Sequence, residues 1–121
     1  MCVKNGSAYK SEKLRVKALA SYNEYLKKSP ISYKEKYIET AYGKTYLLIS
    51  GDENLQPLVL LHGAGANITF WLQNIEVLSK HFCLYLIDII GEAGKSAATR
   101  PVFKSKAYAF WLKEVLSQLR L

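Results

Sequence analysis

The fold of this chain can be inferred outward from residues 57–67, which read PLVLLHGAGAN. The first five residues form a continuous apolar run, which has the length of a strand and is typical of strands buried on both faces of a parallel sheet. His62 ends this run, and Gly63 and Gly65 then permit a sharp turn of the backbone. The stretch therefore predicts a buried strand that leads into a tight loop of small residues.

Strand and helix patterns alternate after this loop. Residues 68–80 carry apolar side chains at helical spacing, residues 82–90 (FCLYLIDII) form a second strand-like apolar run, and residues 106–121 again have helical spacing. The buried faces of the two predicted helices would be formed by Trp71, Leu72, Ile75 and Leu78 in the first and by Trp111, Leu112, Val115 and Leu119 in the second. This order indicates an α/β fold with parallel strands.

A helix and a hairpin are predicted upstream. Ser11 is a suitable N-cap for a helix that Pro30 ends. Its apolar face should be formed by Leu14, Ala18, Tyr22, Tyr25 and Leu26. Residues 37–42 and 44–50 then alternate as two strands do, with Gly43 at the turn between them, which predicts a β-hairpin.

Composition limits the class of protein. The chain has 121 residues, of which 50% are apolar and 22% are charged, so it forms one globular domain at most. No apolar stretch approaches the roughly 20 residues of a membrane-spanning helix, and no secretory leader is recognisable, so we expect a cytoplasmic protein. Cys2 and Cys83 have neither the number nor the spacing of a disulfide framework or zinc site. We expect reduced thiols, no metal and no cofactor.

The net charge of +7 raises the question of an acidic partner. Much of the basic excess precedes residue 45, where Lys and Arg are interleaved with Glu and with apolar residues at helical spacing. This pattern favours a solvated helix face over a nucleic-acid or membrane surface, which are the weaker alternatives. We therefore expect no nucleic acid and no membrane partner.

Residues 91–96 read GEAGKS and suggest a phosphate-binding loop. Such a loop needs a glycine where this chain has Ile89, and it should open directly into a helix, which Pro101 makes unfavourable. Ser96 stands in a Gly-x-Ser-x-Ala context similar to a nucleophile elbow, but again no helix follows at once. We interpret GEAGKS as a connector after a buried strand.

Three segments, in this order, resemble the α/β-hydrolase superfamily. They are LVLLHGAGAN at 58–67, the Phe-Trp pair at 70–71, and DIIGEAGKS at 88–96. The third departs from the usual pattern by one residue, because Glu92 and Ala93 both stand between its glycines. The N-terminal helix and the short link after it are similar to those of esterase-like members. The resemblance runs from about Tyr37 to the C-terminus.

This resemblance implies a partial α/β-hydrolase sheet, with an N-terminal hairpin, two parallel strands and flanking helices. The sheet would be truncated before the strand that carries the nucleophile elbow. Residues 1–32 would be an N-terminal tail and amphipathic helix, and residues 33–121 would be the N-terminal part of the hydrolase domain. The expected activity is ester hydrolysis of a small-molecule substrate, by a full-length form only.

The resemblance also assigns roles around the HGAG loop. The backbone N–H of Ala64 would donate to the oxyanion that forms during ester hydrolysis, and His62, Gly63 and Gly65 would support the loop. The nucleophile, the acid and the base would lie outside this chain, so we expect it to be inactive alone. No local sequence pattern supports Cys83 or Ser96 as an alternative nucleophile paired with His62. The simpler interpretation, that HGAG is only a tight strand-to-helix turn, stays open.

A second hypothesis needs no catalysis. If the sheet order of the superfamily holds, the strand before His62 would be an unpaired edge, which favours association. The chain would then be a non-catalytic α/β interaction module that binds a partner through its open sheet edge. Self-association through the same edge is expected on this hypothesis.

Overall fold

A computed structural model describes residues 3–4, 9–102 and 105–121. The prediction for Cys2 lies outside these residues. The elements, in chain order, are β1 (Val3–Lys4), α1 (Glu12–Lys28), β2 (Lys34–Thr40), β3 (Gly43–Ser50), β4 (Gln56–Leu61), a 3-10 helix (Ile68–Trp71), α2 (Leu72–Leu78), β5 (Phe82–Ile87), β6 (Arg100–Pro101) and α3 (Ala107–Gln118). None of the described helices is long and apolar enough to cross a membrane.

Four strands form the main sheet, in the order β2-β3-β5-β4. The predicted hairpin is confirmed, since β2 and β3 pair antiparallel, and β4 runs parallel to β5 as expected. The hairpin turn itself lies at Ala41 and Tyr42, and Gly43 is instead the first residue of β3, paired with Thr40. Its φ of +108° and the close approach of Ala97 explain why glycine suits this position.

β4 is an edge strand, as the sheet order of the superfamily led us to expect. Its expected burial on both faces is only partial, because Leu58 and Val59 pack against opposite core clusters but are not fully buried. Leu60 is buried, but Pro57 is exposed and 38% of Leu61 remains accessible. The cause is the sheet order, because among the described strands β4 has β5 on one side and no neighbour on the other. β3 and β5 are the two central strands, and most of their residues are buried.

The sheet is packed on both faces. One core cluster joins α1 and α2 to the sheet through Tyr22, Leu26, Tyr46, Leu48, Leu60, Ile68, Ile75, Leu84 and Leu86. The other joins α3 to the sheet through Ile38, Leu47, Ile87, Ile90, Trp111 and Val115. The predicted inner faces of α2 and α3 are confirmed, because each named side chain is buried or partly buried against one of these clusters.

The prediction for α1 was only partly right. Ser11 caps the helix, because its Oγ accepts the N–H of Leu14. Of the predicted apolar face, Tyr22 and Leu26 are buried, whereas Leu14, Ala18 and Tyr25 are exposed. The reason is that the core contacts of this face lie on the last two turns of the helix.

The segment that follows GEAGKS is not loop throughout. Arg100 and Pro101 form β6, which pairs antiparallel with β1 as a separate two-stranded sheet. The sequence analysis missed both strands, since a strand of two residues has no detectable alternation.

Candidate functional site

The HGAG loop leaves the C-terminal end of β4 as an exposed turn. The N–H of Ala66 donates to the carbonyl oxygen of Gly63 over 3.2 Å, and Gly65 has a φ of +77°. Gly63, Ala64 and Gly65 are exposed, and a side chain placed at either glycine would meet no atom within 4 Å. The backbone of this loop therefore faces open space.

His62 sits beneath the loop with its side chain fully buried. Its Nε2 accepts the backbone N–H of Ile89 over 3.0 Å, which requires that the proton of the ring be on Nδ1. Nδ1 then donates to the carbonyl oxygen of Gly63 over 2.8 Å. Both ring nitrogens are thus used by the backbone, and neither is available to accept a proton from a nucleophile.

Asp88 directly follows β5 and is also fully buried. Its Oδ2 accepts the hydroxyl of Tyr22 over 2.7 Å and the N–H of Lys95 over 2.9 Å, and its Oδ1 accepts the N–H of Ile68 over 2.8 Å. Burial raises the pKa of this carboxyl, and these donors act in the opposite direction. Its Oδ1 lies 4.0 Å from His62 Nε2, but both atoms accept hydrogen bonds, so the two side chains do not form a catalytic pair.

Two further contacts join the HGAG loop to the segment after β5. The N–H of Gly65 donates to Oε2 of Glu92 over 3.1 Å, and Asn67 Nδ2 donates to the carbonyl oxygen of Ala93 over 2.9 Å. Together with the His62–Ile89 and Ile68–Asp88 hydrogen bonds, they tie residues 62–68 to residues 88–93. The sequence analysis gave Glu92 no role; the only signal for one was its place in the departure from the superfamily pattern.

The rest of GEAGKS is packed into the fold. Ser96 Oγ donates to the carbonyl oxygen of Asp88 over 2.6 Å and accepts the N–H of Tyr46 over 2.8 Å. Lys95 Nζ lies 4.9 Å from the ring centroid of Tyr22 and 5.0 Å from that of Tyr46. Ser96 is therefore occupied as a structural hydrogen-bond partner, and Cys83 is buried within β5.

An apolar cavity of about 420 Å³ opens beside the HGAG loop. It lies between the end of β4, the end of β5 and α3. Its lining is formed by Leu61, Ala64, Ile89, Glu92, Tyr108, Ala109, Trp111 and Leu112. The structure thus brings Ala64 to the rim of an apolar space, with His62, Gly63 and Gly65 in the same loop.

Comparison with known proteins identifies relatives of this chain. No family model matches the chain. It is 40% identical over 99 residues to the uncharacterized carboxylesterase nap of Bacillus subtilis (strain 168), a match that covers 82% of this chain and 33% of that protein. The crystal structure of carboxylesterase CesB (YbfK) from Bacillus subtilis superposes with a TM-score of 0.81 at 32% identity, over 90% of this chain and 38% of that one. The chain belongs to the α/β-hydrolase superfamily.

The match to the α/β-hydrolases covers only part of the length of those proteins. Carboxylesterase YbfK of the same organism is 34% identical over 101 residues, which is 84% of this chain and 34% of that protein. The chain thus spans about a third of the length of the curated relatives it matches, and it corresponds to their N-terminal third. The observed sheet is accordingly a partial α/β-hydrolase sheet.

Proposed function

We propose that this chain supplies the oxyanion-hole part of a carboxylesterase-like enzyme that hydrolyses small-molecule esters. The observation that carries the proposal is the exposed HGAG loop at the end of β4, in a chain that aligns with carboxylesterases. The N–H of Ala64 is the proposed oxyanion donor, and its place at the rim of the apolar cavity would put it near the acyl group of an ester. His62, Gly63 and Gly65 hold the loop in position.

On this proposal the chain alone does not hydrolyse esters. The side chains that could have attacked from within are engaged elsewhere, since Ser96 bonds to Asp88 and Tyr46, and both nitrogens of His62 bond to the backbone. The nucleophile, acid and base would come from the remaining two thirds of such a domain. Loss of a triad serine or histidine costs about six orders of magnitude in kcat in a measured case.

The experiment joins this chain to the C-terminal two thirds of carboxylesterase nap and compares the chimera with the chain alone. Only the chimera should react with a fluorophosphonate probe and hydrolyse a p-nitrophenyl ester. Ala64→Pro, which removes the donor N–H, should lower kcat of the chimera by about 10²- to 10³-fold, whereas Ala64→Gly retains the N–H and should not. Probe labelling of the chain alone, or an equal kcat for both Ala64 variants, would refute the proposal.

A second candidate function is favoured by the open edge of β4. A strand with one unpaired side presents free backbone donors and acceptors, and here it lies next to an apolar cavity. The partner that fits is an apolar, extended segment from the complementary part of a hydrolase domain, bound as a further strand. Binding of the separate C-terminal part of carboxylesterase nap to this chain, without any probe labelling, would favour this non-catalytic module over the enzyme.

The remaining expectations belong to the same proposal. We propose a cytoplasmic location. We also propose that the chain has no nucleic-acid or membrane partner, because its basic residues before residue 45 are interleaved with Glu and apolar residues. Fractionation of the native host cells would test the location. Retention of the chain on heparin at physiological salt would contradict the expected lack of an acidic partner.

A further inference from the structure

Glu92 and Ala93 are the residues by which this chain departs from the usual superfamily spacing, and both contact the HGAG loop. The carboxylate of Glu92 accepts the N–H of Gly65, and the carbonyl of Ala93 accepts the amide of Asn67. The departure therefore falls at the point where the two loops meet. The contact from Glu92 reaches the residue directly after the proposed oxyanion donor.

We propose that Glu92 is a positioning residue for the oxyanion loop. Its carboxylate binds the N–H of Gly65 and thereby stabilises the left-handed conformation of that glycine, whose φ is +77°. The N–H groups of Gly65 and Ala66 are both engaged within the protein, so neither competes with the N–H of Ala64 for an oxyanion. The assignment to catalysis rests on the proposed function; the contact between Glu92 and Gly65 does not.

The backbone of Glu92 is fixed well enough for this role. Its N–H donates to the carbonyl oxygen of Ile89 over 3.2 Å, and its own carbonyl accepts the N–H of Gly94 over 2.9 Å. The preceding residue, Gly91, is buried with a φ of +77°, and its N–H donates to Ala97. Because this backbone is already fixed, only the side-chain rotamers of Glu92 need to be ordered when it binds the loop.

The charge of Glu92 gives this contact a signature that a purely steric contact lacks. An ionised carboxylate polarises a bound N–H strongly, and such charge-assisted bonds are about twice as strong as neutral ones. The other titratable groups that line a cavity with Glu92 are Tyr9, Arg15 of α1, Lys44 of β3 and Lys95 of its own loop in one cavity, and Tyr108 of α3 in the other. The pKa of Tyr108 is raised by burial and, secondarily, by the charge of Glu92.

The test uses the full chain labelled with ¹⁵N. The amide proton shift of Gly65 should change with pH as one carboxyl group ionises. This change should vanish in Glu92→Gln and persist in Glu76→Gln, a control that removes an exposed carboxylate on α2. Hydrogen exchange at the Gly65 amide should be about 3- to 10-fold faster in Glu92→Ala, as expected for the loss of one hydrogen bond. Glu92→Gln, which keeps a neutral acceptor oxygen, should give an exchange rate between those of the unmodified chain and Glu92→Ala.

Two results would overturn the proposal. The first is a Gly65 amide shift that ignores pH, or that follows pH equally in Glu92→Gln. The second is unchanged exchange at Gly65 in Glu92→Ala while the amides of Ile68 and Ile89 report an intact fold. If Glu92→Ala does not fold, the decision rests on the pH dependence of the Gly65 amide shift, compared between the unmodified chain and Glu92→Gln. These readouts need no ester hydrolysis, so failure of the proposed enzyme activity would not affect them.

Discussion

Asp88 joins three parts of the chain that lie far apart in the sequence. Its carboxylate joins α1 through Tyr22, the 3-10 helix through Ile68, and the loop after β5 through Lys95. The contact with Tyr22 spans 66 positions of sequence, and the pKa of that hydroxyl is raised, mainly by burial and then by Asp88. Periodicity reports only neighbours along the chain, so no local pattern could have predicted this network.

The raised pKa of Asp88 predicts a pH dependence of stability. Because the folded state binds the proton of Asp88 more tightly than the unfolded state does, this group stabilises the fold most at low pH. Its contribution to the free energy of unfolding should fall as pH rises from about 4 through the folded-state pKa. The measurement is urea unfolding of the unmodified chain and of Asp88→Asn across this range.

In Asp88→Asn the carboxyl group is replaced by an amide that does not titrate. This variant is therefore the reference for the pH dependence of the unmodified chain. The difference in unfolding free energy between the two proteins should become smaller as pH rises. At neutral pH the variant should still be about 1–3 kcal/mol less stable, because an NH2 group, which cannot accept, replaces one of the two carboxylate oxygens that accept hydrogen bonds. A difference that grows with pH would show that the sign of the pKa shift is wrong.

Gly94 and Gly63 form a matched pair for a test of packing around Asp88. A side-chain carbon at Gly94 would lie 2.5 Å from Asp88 Oδ2, whereas one at Gly63 would meet nothing within 4 Å. Gly94→Ala should therefore cost about 1–3 kcal/mol of stability, as overpacked sites do. Gly63→Ala should change stability by no more than about 0.5 kcal/mol. Thermal unfolding of both variants tests this, and equal costs would contradict the observed packing.

At the scale of elements, the sequence predicted most of the order but not the environment of each element. The hairpin, β4, β5, α2 and α3 were expected near their observed positions, because each has a clear period or an uninterrupted apolar run. The exposure of Leu14 on α1 and of Leu61 on β4 was missed. Burial depends on what packs against an element, and an apolar pattern alone does not reveal that its neighbour is absent.

α3 is held against the sheet by one buried hydrogen bond in addition to its apolar face. Trp111 Nε1 donates to Thr45 Oγ1 over 2.7 Å, and both side chains are buried. Thr45→Val keeps the shape but leaves the indole N–H without this acceptor, so it should cost about 1–3 kcal/mol. The cost should shrink in a Trp111→Phe background, where the donor is gone. Equal costs in the two backgrounds, measured by denaturant unfolding, would argue against the contact.

At the scale of the whole molecule, the proposed site would supply the oxyanion loop of a catalytic site but not its nucleophile, acid or base. The chain matches the N-terminal third of its curated relatives, and it holds the loop that would bind an oxyanion at the rim of an apolar cavity. The division into residues 1–32 and 33–121 stays a prediction, although Tyr22 and Leu26 of the first segment lie in the core of the second. The family could be inferred from three motifs, whereas the contact partners of Glu92 required the fold.

The unpaired side of β4 governs how the isolated chain should behave in solution. We expect reversible self-association, because an apolar edge strand can pair with another copy, while the net charge of +7 opposes this at low salt. Sedimentation over about a hundredfold range of concentration should therefore show a mass that rises with concentration and with salt.

Leu61→Lys, at the exposed end of β4, should shift the equilibrium toward monomer. Val77→Lys adds the same charge at an exposed site on α2 and should have a much smaller effect. A monomer at every concentration and salt, or equal effects of the two lysines, would mean that the open edge does not drive association.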